Sequence, residues 1–223
     1  MIVAFENWQS TRTAKPLSPG QVHLWRAPLE VSPEMRVTLS HDDWIESRRF
    51  HYEDEREHFI ATRGLLRLIL ARYLAASPCA LRFTTGLDGK PELATPSSML
   101  RFHLSHSEKL MLLAVTHGRG IGVDLEYVRR DVPFESLADH YFEPDDAWDL
   151  RLLPTSERAR KFYDIWTSTE AQLKASGRDN ARGFRLADPD DWALLTLTPA
   201  AGYAAALAVE GSDFALECWS WEP

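Results

Sequence analysis

Only two cysteines occur in 223 residues, Cys79 and Cys218, far apart and without a C-x-x-C pair. That excludes a disulfide framework and points to a reduced compartment in which both are plain thiols. Long apolar runs are also missing. The most apolar helical stretch, Leu65 to Ala76, is broken by Arg67 and Arg72, far short of the ~20 residues a membrane span needs. No membrane partner is expected. The start, MIVAFENWQSTRTAKP, lacks a basic stretch leading into an apolar one, so a secretory signal is not expected and a cytoplasmic location is. Basic charge is in the minority too: 25 Lys+Arg against 33 Asp+Glu give a net charge of −8. A general nucleic-acid surface is excluded on that balance, whereas a local cationic pocket is not.

What is present is an ordinary folded composition, 44% hydrophobic and 26% charged. The length suits one large domain or two of about 110 residues. Divided into 1–117 and 118–223, the chain carries +1 and −9, so its acidity is lopsided. Ser40-His-Asp-Asp reads as a helix N-cap region. Glu53 to Ala75 is strongly helical, with Phe59, Ile60, Leu65, Leu66, Ile69, Leu70 and Tyr73 on one broad face. Arg56, Arg63, Arg67 and Arg72 fill much of the rest, and Ser77-Pro78 ends the helix. Strands are predicted at Gln21 to Leu24, from Leu81, at Leu100 to Ser105, Leu110 to Thr116 and Ile121 to Glu126. A second long helix, about Ser156 to Ala175, precedes strands near Trp192 to Leu197 and Tyr203 to Val209. Met111-Leu-Leu-Ala-Val-Thr-His-Gly echoes Ala204-Ala-Ala-Leu-Ala-Val-Glu-Gly. The reading is two α+β halves, with a fused duplication suggested by the echo.

Three segments could carry chemistry. In Ile121-Gly-Val-Asp-Leu-Glu, Asp124 and Glu126 share one face of a strand. Either they bind a hard divalent cation or they decorate a solvated face. Glu170 and Lys174 stand at i and i+4 of the second helix, the spacing of a surface ion pair. Only five of the 25 basic residues are lysine, however, and another, Lys90, follows a turn in Gly89-Lys90-Pro91. A compact ammonium in either place suits a phosphate. In Phe102-His-Leu-Ser-His-Ser, adjacent Ser105 and His106 make a poor nucleophile–base pair but can donate to a phosphate. No Cys or Glu completes a zinc site with His103 and His106.

Gly89-Lys-Pro, Phe102-His-Leu-Ser-His-Ser, Gly122-Val-Asp-Leu-Glu and Trp166-(x)3-Glu-Ala-(x)2-Lys-Ala follow one another in this order. Together with the Arg63-Gly-Leu-Leu-Arg helix, the set resembles the Sfp-type 4′-phosphopantetheinyl transferases. The resemblance implies an α+β pseudo-dimer of two similar halves with the active site in the cleft between them. It implies transfer of the phosphopantetheine arm of coenzyme A to a serine of an apo acyl or peptidyl carrier protein, with release of 3′,5′-ADP. Mg²⁺, with Mn²⁺ as an alternative, is the implied metal, held by Asp124, Glu126 and Glu170. Glu170 is the implied base and Lys174 the lysine near the coenzyme A pyrophosphate. Lys90, Ser105 and His106 match positions that hold the nucleotide, and Arg56 and Arg63 are further phosphate ligands. A monomer is expected.

One departure stands out. The family carries Lys immediately before the helix glutamate, and here that place is Thr169. A non-catalytic homologue that binds coenzyme A or a carrier is therefore the alternative reading. The acidic segment from Phe142-Glu-Pro-Asp-Asp to Pro154 reads as a flexible flap over the carrier site.

Overall fold

The computed structural model describes residues 8–11, 16–86, 91–96, 98–176 and 191–222. Its architecture is mixed α+β, in four stacked layers. The strands of the larger sheet are β1 (Gln9–Thr11), β2 (Gln21–Pro28), β5 (Leu100–Ser107), β6 (Leu110–His117) and β10 (Ala215–Trp221), in the order β1-β10-β2-β6-β5. A second sheet runs β7-β9-β8, from β7 (Ile121–Tyr127), β8 (Trp192–Leu197) and β9 (Tyr203–Glu210). A separate hairpin joins β3 (Arg82–Thr85) to β4 (Pro91–Thr95). Short helices α1 (Pro33–Thr38) and α2 (His41–Ser47) precede the long α3 (Glu53–Leu74). In the second half α4 (Phe134–Tyr141) and α5 (Pro144–Leu152) lead into the long α6 (Thr155–Ser176).

The period of two decides the layering. Met111, Leu113 and Val115 of β6 turn toward α3, where they pack with Leu65, Leu66 and Ile69. The alternate residues Leu112 and Ala114 face the other way and meet Val123, Leu125, Ala205 and Leu207 of the second sheet. On the other side of β9, the alanines Ala206 and Ala208 meet Ala171 of α6. The order through the molecule is thus α3, larger sheet, smaller sheet, α6.

Both echoed segments are inner strands, β6 between β2 and β5, β9 between β7 and β8. Each is followed by a glycine at positive φ, Gly118 at 70° and Gly211 at 76°. The sheets do not divide at residue 117, because β10 runs parallel between β1 and β2. Trp219 and Trp221 of that strand complete the core beneath α3.

Ser40 caps α2 as read from the sequence: its hydroxyl accepts from the Asp43 amide at 3.2 Å, and Asp43 accepts from the Ser40 amide at 2.8 Å. Helix α3 ends before the Ser77-Pro78 pair, at Ala75, whose φ of 47° turns the chain left-handed. The segment expected to be a flap is instead helix α5, with Pro144 in its first turn and Ala147 and Leu150 buried. No helix among the described residues is long and apolar enough to cross a membrane.

Candidate active site

Gly122 brings α6 onto β7. A Cβ built at this glycine stands 2.2 Å from the Ala171 carbonyl oxygen and 2.5 Å from the Ala175 amide nitrogen, both backbone atoms. Only hydrogen fits there. The alanines of β9 leave the same side flat, so helix and sheet meet closely. Glu170 and Lys174, one turn apart, thereby overlie the strand that carries Asp124 and Glu126.

Asp124 is 2% exposed. Its Oδ1 accepts from Lys174 Nζ at 2.5 Å and from Ser105 Oγ at 3.1 Å, while its buried Oδ2 has no hydrogen-bond partner among the described residues. An unpartnered carboxylate oxygen at that depth is unfavourable unless a positive group meets it. Glu126 is half-buried and accepts from Ser107 Oγ at 3.3 Å. Burial, then the charges of Asp124 and Glu170, push its pKa up, against Ser107 and Lys174. The folded protein therefore holds this proton to higher pH than the unfolded chain. Stability falls as pH rises through the raised pKa, and the charged form remains a burden above it. Glu126→Gln should raise the melting temperature at pH 8, because it removes the charged form that burial disfavours. The gain should shrink as pH falls toward the usual glutamate range. Calorimetry across that range checks it, and equal melting curves at pH 8 would contradict it.

Beside the acids lies a cleft of about 580 Å³, within the ordinary size range of small-molecule sites. Leu93, Arg101, Phe102, Arg119 and Lys174 are among the residues that line it. Both halves of the chain contribute, and Lys174 belongs at once to the cleft wall and to Asp124. Nearby, His106 Nδ1 and His58 Nε2 are 2.9 Å apart. Burial, His58 and Lys174 push the His106 pKa down to about 4, which keeps that ring neutral at physiological pH.

Among the described residues no three His, Cys, Asp or Glu gather closely enough to hold a metal as the side chains stand. The donor chemistry nevertheless suits a hard divalent cation: the acids offer oxygen only, and the Asp124 Oδ2 atom is buried and unpartnered among those residues.

A family model described as the 4′-phosphopantetheinyl transferase superfamily matches residues 120–218, which include β7, α6 and β9. The 4′-phosphopantetheinyl transferase HetI of Nostoc sp. is 38% identical over 220 residues, covering 90% of this chain and 92% of the relative. The chain belongs to the Sfp-type 4′-phosphopantetheinyl transferases. It is an enzyme of that type. Slr0495 of Synechocystis sp. is 31% identical over 174 residues, 77% of this chain and 71% of its own length. The phosphopantetheinyl transferase of Thraustochytrium sp. is 30% identical over 155 residues, 64% of this chain and 54% of the relative.

Of the residues singled out from the sequence of this transferase, Asp124, Glu126, Glu170, Lys174 and Ser105 come together around β7. Ser105 is buried, and its one hydroxyl hydrogen is directed to Asp124 rather than outward. His106 joins His58, a partner that sequence reasoning missed because nothing in a helical pattern marks it. Lys90 lies outside the described residues, although the next residue, Pro91, lines the cleft. Arg63 is drawn to Asp43 at 3.3 Å and Glu46 at 3.5 Å, with its guanidinium over Phe59 and Phe83. Arg56 donates to the Phe50 carbonyl at 3.2 Å, and its Nε is buried without a hydrogen-bond partner among the described residues. Thr169 donates back to the Ile165 carbonyl of its own helix at 2.9 Å.

Proposed function

We propose that the protein transfers the 4′-phosphopantetheine arm of coenzyme A to a serine hydroxyl of an apo acyl or peptidyl carrier protein. The serine oxygen forms a bond to the phosphorus that bears the pantetheine. The pyrophosphate bond on the far side breaks, 3′,5′-ADP leaves with its electron pair, and the serine proton passes to a base. The observation that carries this reading is the Lys174–Asp124 pair at the edge of the cleft. It puts an ammonium against a buried carboxylate where a polyphosphate can lie, on elements matched to the transferase family.

Each residue has a part in the proposed reaction. Lys174 binds the pyrophosphate and offsets the charge that grows on the leaving phosphate. Glu170, one turn away on α6, takes the serine proton. His106, neutral at working pH, donates a hydrogen bond to the nucleotide, and Lys90 binds a phosphate at the Pro91 end of the cleft. Arg56 meets a further phosphate, whereas the charge of Arg63 is already met by Asp43 and Glu46. Asp124, Glu126 and Glu170 would hold Mg²⁺, with Mn²⁺ as an alternative. When bound, the metal supplies positive charge to the phosphate oxygens. The matching long helices and inner strands support two duplicated halves with the active site between them; the proposed enzyme acts as a monomer in the cytoplasm.

Mass spectrometry of intact apo carriers tests the proposal. Incubation with the protein, Mg²⁺ and coenzyme A should add the mass of one phosphopantetheine arm to the carrier serine. No gain on any fatty-acid, polyketide or nonribosomal-peptide carrier would refute it.

A further inference from the structure

Among the described residues, the outer edge of β7 is not paired to another strand. Its neighbours there are side chains of β5, which project at every second residue. His103 Nδ1 accepts from the Val123 amide at 3.2 Å, Ser105 Oγ from the Leu125 amide at 3.3 Å, and Ser107 Oγ from the Tyr127 amide at 3.0 Å. Three amides that would otherwise be stranded at a sheet edge are thereby satisfied.

The two serines do more than cap. Each also donates its hydroxyl hydrogen to the carboxylate one residue before the amide it accepts from: Ser105 to Asp124 at 3.1 Å, Ser107 to Glu126 at 3.3 Å. A hydroxyl has one hydrogen and two lone pairs. Once the amide occupies a lone pair, the direction left to the hydrogen is restricted, and in both cases it points to the acid. The third rung supplies the contrast. Where histidine replaces serine, the residue before the capped amide is Gly122, which has no side chain to orient. Acid and serine thus occur together on both rungs that carry an acid.

We infer that Ser105 and Ser107 are positioning residues that fix one oxygen of Asp124 and of Glu126 and leave the other for a divalent cation. On Asp124 this division is visible: Oδ1 is taken by Ser105 and Lys174, and the buried Oδ2 has no hydrogen-bond partner among the described residues. Ser105 thus serves the acids, and Ser107, outside the set read from the sequence, joins it. The inference rests on the metal site proposed above. Groups that orient metal ligands typically change metal affinity by about 10–100-fold when lost.

The test is Mn²⁺ binding to the full chain, followed by electron paramagnetic resonance of the free ion, with no turnover required. Ser107→Ala should weaken Mn²⁺ binding about 10-fold, as should Ser105→Ala, while Ser107→Thr, which keeps the hydroxyl, should stay close to the parent protein. A merely structural role lowers the melting temperature of the alanine variants but leaves Mn²⁺ affinity of the folded protein unchanged, and that result overturns the inference. Should Ser107→Ala fail to fold, Ser107→Cys keeps the shape with a weak donor and gives the same contrast with Ser107→Thr. Asp124→Asn separates the two levels. If it binds Mn²⁺ as well as the parent does, the metal site itself falls and the positioning role with it. If it loses the ion while both serine variants retain it, only the positioning role falls.

Discussion

Glu170→Gln is expected to lower phosphopantetheine transfer by about 10²–10⁴-fold, the range that loss of a general base produces, while coenzyme A still binds. Glutamine matches glutamate in shape and in helix preference, so α6 should keep its path over β7. What disappears is one negative charge and the ability to accept the serine proton. Lys174 and the cleft it lines are untouched, so calorimetric titration with coenzyme A should give an affinity near that of the parent. Glu126 offers a second sign of the change: Glu170 is one of the charges that raise its pKa, so in the variant Glu126 should ionise more readily. A variant that turns over near the parent rate would remove Glu170 from the proposed chemistry, whatever became of the rest of the site.

Gly122→Ala should damage both the fold and the site. The added methyl would meet the Ala171 oxygen at 2.2 Å and the Ala175 nitrogen at 2.5 Å. Neither is a side-chain end that can swing aside, so α6 must lift or β7 must shift. Overpacking of this kind costs typically 1–3 kcal/mol, and contact with helix backbone argues for the upper end. At about 2–4 °C per kcal/mol, the melting temperature should fall by roughly 10 °C. Activity should suffer beyond that loss. Lifting α6 carries Glu170 and Lys174 away from Asp124, and a misplacement of about 1 Å can reduce a rate about 100-fold. The comparison is made well below the melting temperature of the variant, where unfolding contributes nothing to the rate. A folded variant with an unchanged rate would show that the close approach of α6 does not set the site.

Much of this site was legible from local pattern. The alternation in β7 told which residues turn inward, because a period of two leaves no freedom once Val123 and Leu125 are buried. It therefore put Gly122, Asp124 and Glu126 on the other face. The 22-residue spans of α3 and α6 were legible for the same reason, from a period near 3.6. Pairing across the chain was not. Arg67 read as part of the polar side of α3, yet it is 2% exposed and bonds to Asp43, Ser40 and the carbonyls of Pro78 and Leu81. Its partners come from α2 and from the turn after α3, which helical periodicity does not encode. Arg63 shares that fate through Asp43 and Glu46. The seam from β5 to β7 was hidden too, since a serine that orients an acid has the same local pattern as one that faces water. Lys90 and its turn lie outside the described residues.

The parallel placement of β10 has a bearing on how the chain becomes a protein in the first place. Synthesis proceeds from the N-terminus, and early portions usually fold as they emerge. Here one side of β2 is matched once residues 110–117 of β6 have been made, while its other side stays bare until residues 215–221 follow. From the synthesis of β2 until β10 emerges, the nascent chain carries an open strand edge beside a core that still lacks Trp219 and Trp221. Such an edge invites pairing with other chains. The interval before that late strand arrives is when the growing polypeptide is most exposed to aggregation, and when a chaperone has most to protect.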